Sequence, residues 1–295
     1  MGRGSAAPPD CEPTLRAGYE ACRRLHRRHD PTYYWATRRL PADKRPATHA
    51  LYGFVRTADQ IVDDPRLQHD PQGRRAALEA WQAELERGLA AGRSPHPVVG
   101  ALVDAGHRHD LPLSVELKAY MRSMQADCGR VRISSWEELE VYMHGSAGSV
   151  GRIMAPLLGV PARHHADFGR LGLAFQLANF IRDVREDAAL DRIYLPAEDR
   201  DRFGVEEAEL RRPAASGGLR ALMAHEVERA RELFAGAQEA IAATPGPVRP
   251  GIRMACAVYE RLLDRIEVNE FDVLGRRTAL PPWQVGRAVV GALRP

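Results

Sequence analysis

Apolar residues recur three and four positions apart along most of the chain, the spacing of one buried face of an α-helix. Leu15, Tyr19, Cys22, Leu25 and His26 predict a helix over about 13–29. Asp43 is placed to cap a helix running through Asp64, with Pro46 in its first turn and Pro65 as its stop. Leu78, Trp81, Leu85 and Leu89 form a stripe over 74–89, and Leu117, Tyr120, Met121 and Met124 another after Pro112. Residues 127–134 read as irregular. Ser135 and Glu138 form a capping box that opens a helix to about Leu158, rich in small residues from Gly145 to Gly151. Small side chains there let another helix, or a ligand, approach the backbone closely. Helices follow over 162–189, 219–243 and 252–274, with a short one after Pro281-Pro282. The segment 197–216 reads as a polar loop with a short helix, its Asp199 to Asp201 solvated. No run alternates with period two for long enough to demand a strand, and no nucleotide-binding glycine loop occurs. The pattern predicts one all-α domain of nine or ten helices over 13–295, after a disordered stretch at 1–12.

The polar positions on two of these helices are ordered as well. Asn179, Asp183 and Asp187 lie four residues apart, and four residues overshoot one helical turn by only about 40° with a rise of roughly 6 Å. On a helix they form a ladder of oxygen ligands on one face. Gln176 stands one turn earlier. Tyr52, Arg56, Asp59 and Asp63 form a second ladder, with Asp64 less well aimed. A lone carboxylate pair at this spacing is common on solvated faces. Phe175, Leu177, Phe180 and Ile181 flank the later ladder, and apolar flanks suit a stripe that faces a cavity. Two ladders in a chain with no other chemistry point to divalent metal and diphosphate, since Mg²⁺ takes oxygen ligands and shares its shell with phosphates and water. Arg56 and Arg182 are candidates for the diphosphate oxygens.

Composition narrows the classes without choosing among them. The 295 residues are 44% hydrophobic and 27% charged with a net charge of +3, so charge alone implies no nucleic-acid partner. Lysine occurs only at 44 and 118; arginine carries nearly all the positive charge. Cys11, Cys22, Cys128 and Cys256 are scattered, without metal-ligand spacing, as expected of free thiols in a reducing compartment. No signal-peptide pattern and no apolar run of about 18 residues is present.

Four stretches carry a family resemblance: YYWATRRLP from Tyr33, ALYGFVRTADQIVDD at 50–64, YMHGSAGSVGRIMAPLLG at 142–159 and AFQLANFIRDVREDAALDRIYLP at 174–196. The chain resembles the squalene/phytoene synthases, and YMHGSA most resembles the phytoene type. The resemblance implies an all-α isoprenoid-synthase bundle around an apolar cavity, with Mg²⁺ (or Mn²⁺) at its mouth. It implies metal binding by Asp59, Asp63, Asn179, Asp183 and Asp187. Tyr52, Arg56, Gln176, Arg182, Tyr194 and Arg276 are then placed at diphosphates or polar ends of the site, Tyr142 near the reacting carbons, and Tyr33 at the substrate. Aromatic faces such as Tyr33, Tyr34 and Phe54 are available to a cation. The implied reaction joins two prenyl diphosphates head to head through a cyclopropylcarbinyl diphosphate, with two geranylgeranyl diphosphates giving phytoene. Squalene or dehydrosqualene from farnesyl diphosphate is the alternative, with NADPH needed only for squalene. A class I terpene cyclase or chain elongator, or a non-catalytic member, are rivals from other classes. The expected setting is cytoplasmic with contact at a membrane surface, because substrates and product are lipids; the oligomeric state is left open. Gln60 stands where many members have a carboxylate, but points off the ladder face.

Overall fold

The computed structural model describes residues 7–67 and 69–275. Among them fourteen α-helices run in order: α1 (Pro13–His29), α2 (Pro31–Thr37), α3 (Arg45–Val62), α4 (Pro71–Ala91), α5 (Pro97–His109), α6 (Leu113–Ala126), α7 (Trp136–Met143), α8 (Ser149–Leu157), α9 (His165–Arg182), α10 (Val184–Ala189), α11 (Ala197–Arg202), α12 (Gly217–Gly236), α13 (Gln238–Ala243) and α14 (Arg249–Val268). Each of the first five carries a proline in its first turn, where the missing N–H would have no helical partner anyway. Asp30 and Asp70 cap α2 and α4 by accepting from Tyr33 and Gly73 N–H. Ser135 caps α7 as the sequence predicts, its Oγ accepting from Glu138 N–H, but the box does not close on the cap residue: the Glu138 carboxylate accepts from Ser134 N–H, one residue earlier.

Several expectations need correcting. Asp43 does not cap α3; its carboxylate lies 3.5 Å from Lys44 Nζ and the helix begins at Arg45. Residues 7–12 are not loose: Ala7 and Cys11 are buried, and Arg16 donates to the Pro9 and Cys11 carbonyls. The helix expected over 135–158 is interrupted by a π-helical turn, His144–Gly148. The long ladder helix bends at Asp183, whose backbone (φ −103°, ψ 17°) separates α9 from α10. Val131–Arg132 and Arg192–Ile193 pair as a two-residue parallel ladder, a feature too short for any periodicity to announce. Asp199 is buried against Arg229 rather than solvated. The short helix expected after Pro281-Pro282 lies outside the described residues. All four cysteines are buried free thiols.

The apolar interior is two clusters rather than one. The first gathers α1 and α3 to α6, and the second gathers α7, α9 and α12 to α14. Both use α8: Ile153 and Leu157 face the first, and Ala155, with Leu158 just past the helix end, the second. Glycines set the closeness of the seam. A Cβ on Gly151 would stand 2.3 Å from the Phe168 carbonyl oxygen, and one on Gly172 2.5 Å from that of Ala147. The small-residue run therefore admits another helix, α9, to backbone contact. The candidate site opens along this seam.

Candidate active site

Two adjoining cavities follow the seam. The first, of about 360 Å³, is lined mainly by apolar and aromatic groups from α1, α2, α3, the π-turn, α8, α9 and α14. The second, of about 310 Å³, is polar and lies where α3, α9 and α10 converge. Val55, Ser146, Gln176 and Asn179 border both, so one runs into the other.

Both ladders reach the polar cavity. Arg56, Asp59 and Asp63 enter from α3; Gln176, Asn179, Arg182, Asp183 and Asp187 enter from α9 and α10. The bend at Asp183 does not break the register, because Asp183 N–H still donates to Asn179 O and Asp187 N–H to Asp183 O, both at 2.8 Å. Asp64 turns away to an ion pair with Arg66. Tyr142 and Tyr194 also line the polar cavity, while Tyr33 and Tyr52 line the apolar one. Tyr34 and Phe54, considered above as faces for a cation, are not in either wall. Tyr34 packs against His26 and His49, and Phe54 is fully buried against Trp81. Their places are taken by Phe175 and Tyr259, with ring centres 4.7 Å apart and Tyr33 within 6.1 Å of each. Arg276 lies outside the described residues.

Four further residues complete the site. Asp127, buried, accepts from Tyr142 OH at 2.5 Å and Tyr194 OH at 2.9 Å. Arg192 donates to Asp63 at 2.8 Å and is held by the small parallel ladder. Tyr120 OH donates to Asp59 at 2.9 Å. Tyr259 OH donates to Asn179 Oδ1 at 3.2 Å. None of these contacts has a local spacing to betray it; the nearest pair in sequence is fifteen residues apart.

The electrostatics are those of a site that wants cations. Burial pushes the Asp59 carboxyl up to about 6, against the stabilising Tyr120 hydrogen bond and the Arg56 charge. Burial, and then the facing Asp183 charge, pushes Asp187 up to about 8. Asp183 is tied to its neighbour Arg182, with Nε at 2.6 Å. Among the described residues no three carboxylate, His or Cys groups could enclose a metal by themselves. The ladders instead offer one or two oxygens from each side, the donor set for Mg²⁺, which keeps water and phosphate oxygens in its shell. On the anion side, Arg56 Nε and Arg192 Nε are buried donors without a protein partner. Crowded carboxylates with raised pKa and buried unsatisfied guanidinium donors together fit a metal-diphosphate pair better than either ion alone.

The fold and the sequence both match known proteins. A dehydrosqualene synthase structure superposes with a TM-score of 0.86 at 24% identity, covering 94% of this chain and 96% of that one. The squalene synthase of Alicyclobacillus acidocaldarius gives 0.79 at 28% identity over 90% and 97%. The phytoene synthase of Thermus thermophilus is 36% identical over 275 residues, 92% of this chain and 91% of the relative. That of Arthrospira platensis is 33% identical over 296 residues, 95% and 94%. The squalene/phytoene synthase family model matches residues 26–284, which hold both ladders and the cavity between them, and the chain belongs to that family.

Proposed function

We propose that the protein condenses two geranylgeranyl diphosphates head to head to phytoene, as a prenyltransferase of carotenoid biosynthesis. The observation that carries this reading is the junction of a doubly acidic, arginine-bearing mouth with an apolar, aromatic-walled cavity. Asp59 and Asp63 on one side, and Asn179, Asp183 and Asp187 on the other, hold Mg²⁺, which when bound neutralises the departing diphosphate. Mn²⁺ can substitute. Arg56, Arg182 and Arg192 orient diphosphate oxygens and meet the developing charge with fixed donors. Gln176 and Asn179 sit at the boundary, where the diphosphate end of a substrate gives way to its hydrocarbon chain. The aromatic faces of Tyr33, Tyr52, Phe175 and Tyr259 line the path of that chain, and the apolar wall keeps water from a cation. Tyr142, held by Asp127, stands in the polar cavity beside this boundary. We place the protein in the cytoplasm, at a membrane surface that supplies its lipid substrates.

Relatives named phytoene synthase at 33–36% identity over nearly the whole chain favour the twenty-carbon substrate. The solved squalene synthase favours a second reading, farnesyl diphosphate to squalene or dehydrosqualene, with NADPH used only for squalene. Incubation of the purified protein with each diphosphate and Mg²⁺, with and without NADPH, separates them by product mass. Phytoene from geranylgeranyl diphosphate without NADPH is the expected result. A thirty-carbon product alone would transfer the protein to the second reading, and a cyclic product from one substrate molecule would sink both. Asp183→Ala is expected to abolish turnover while shifting unfolding by less than about 1 kcal/mol, since its ion pair with Arg182 is partly exposed. Near wild-type turnover in that variant would remove Asp183 from the metal site.

A further inference from the structure

α2 has two faces with different surroundings. Tyr33, Ala36 and Thr37 line the apolar cavity, and Tyr34 is buried against α1 and α3. The outer face presents Trp35, 57% exposed, which is the one Phe, Trp or Tyr open to solvent among the described residues. Arg38 lies over its ring, 5.0 Å from the centre, and Arg38 and Arg39 are both exposed. α1 is fixed beside α2, with Arg23 Nη1 donating to Tyr34 OH at 3.1 Å. The last turns of α1 add exposed Arg24, Arg27 and Arg28.

Charge is concentrated here. From Pro13 to Arg45 nine basic residues face three acidic ones, a net +6, whereas the whole chain carries +3. Everything outside this stretch is therefore net negative. Of the three acids, Glu20 is engaged by Arg23 and Asp30 caps α2. An exposed indole stacked with a guanidinium, inside a basic surface, has the composition of a bilayer interface anchor: the ring sits among headgroups while the arginines meet anionic phosphates.

We propose that the outer face of α2, with the basic end of α1, docks on a bilayer surface containing anionic lipids. A nucleic acid or an acidic protein would use the charge but has less need of Trp35. Docking would also set the wall of the apolar cavity directly against the headgroup region, from which long prenyl chains could enter; this last point rests on the function proposed above. No helix among the described residues is long and apolar enough to cross a membrane, so contact would be peripheral.

Co-sedimentation with phosphatidylcholine vesicles, with and without about one third phosphatidylglycerol, tests the surface. The wild type is expected to bind the anionic vesicles and to be released by salt. Arg38→Glu/Arg39→Glu should weaken binding at least tenfold and Trp35→Ser several-fold, with unchanged circular dichroism because all three side chains are exposed. Equal binding by wild type and both variants would overturn the proposal. So would absence of wild-type binding, or loss of binding in the charge variant but not in Trp35→Ser, the pattern of a generic polyanion site. Turnover of detergent-dispersed geranylgeranyl diphosphate should stay within about twofold in both variants. A wild type that binds vesicles through Trp35 but turns over no prenyl diphosphate would overturn the functional reading and leave the surface standing.

Discussion

Asp127 shows how much of the site hangs on one buried side chain. Its two carboxylate oxygens accept one phenol each, from Tyr142 and Tyr194, which come from different elements. Burial pushes its carboxyl up to about 6, while the two phenols and Arg192 pull it down. Asparagine has nearly the same shape but one acceptor oxygen, so Asp127→Asn must leave one phenol facing an amide N–H₂. We expect a loss of about 1–3 kcal/mol in urea unfolding. We also expect a fall in kcat larger than the change in KM, because Tyr142 loses its fixed orientation. Unchanged kcat with lowered stability would reduce Asp127 to a structural role. The contrast with Asp183 and Asp187 explains which residues the sequence could reveal. The ladder residues are related by helical periodicity, so spacing alone groups them. Asp127, Arg192, Tyr120 and Tyr259 reach the site through pairings across 15 to 129 positions, and nothing in their neighbourhoods encodes those distances.

At the scale of elements, the glycines of the π-turn and α9 position the ladder by permitting backbone contact. Gly172 lies one turn before Gln176, and any side chain there meets the backbone of the π-turn. Gly172→Ala is expected to destabilise the fold by about 1–3 kcal/mol, since the clash is with backbone rather than a movable side chain. It should also lower turnover by shifting Gln176 and Asn179. Gly236, at the end of α12, has nothing within 4 Å of an added Cβ. Gly236→Ala should be neutral or stabilising by up to about 1 kcal/mol through its higher helix propensity. If both variants unfolded alike, close approach at Gly172 would not be what holds α9. The longer helices, the start at Pro46 and the Ser135 cap were legible because they are local, whereas short helices such as α2, α10 and α13 were not separated from their neighbours. The bend at Asp183 was not, since the hydrogen bonds to Asn179 and from Asp187 keep four-residue spacing through it. Nor was the π-turn, which changes hydrogen-bond register without changing the apolar stripe. The all-α class survives both corrections, because neither removes a buried face.

Across the molecule, the two apolar clusters meet along α8, and the site lies on that seam. A buried ionic group helps fasten α11, just beyond the Tyr194 segment, to α12. Arg229 donates to Asp199 at 2.5 Å and to Glu226 at 3.0 Å, with its guanidinium 4.5 Å above the Trp136 ring. His225 lies 3.7 Å from Asp199. Glu226 is fully buried, and its Oε2 has no partner. One arginine shared between two carboxylates cannot compensate both, and burial pushes Glu226 up to about 7, against the Arg229 charge and with the Asp199 charge. The native state therefore holds a proton on Glu226 that the unfolded chain, with an ordinary value near 4.5, releases earlier. This contribution to stability is complete below about pH 4.5, is lost as pH rises through 7, and is flat above. Glu226→Gln keeps the acceptor for Arg229 and has no proton to lose. Relative to wild type it should be more stable at pH 8 by about 1–3 kcal/mol, with the difference vanishing toward pH 4.5. Comparing urea midpoints of the two proteins across that range cancels the other titrating groups, which both share. Parallel curves would mean that Glu226 is ionised throughout and that Arg229 supports both carboxylates after all; converging curves toward acid would identify a proton as the fourth member of this cluster.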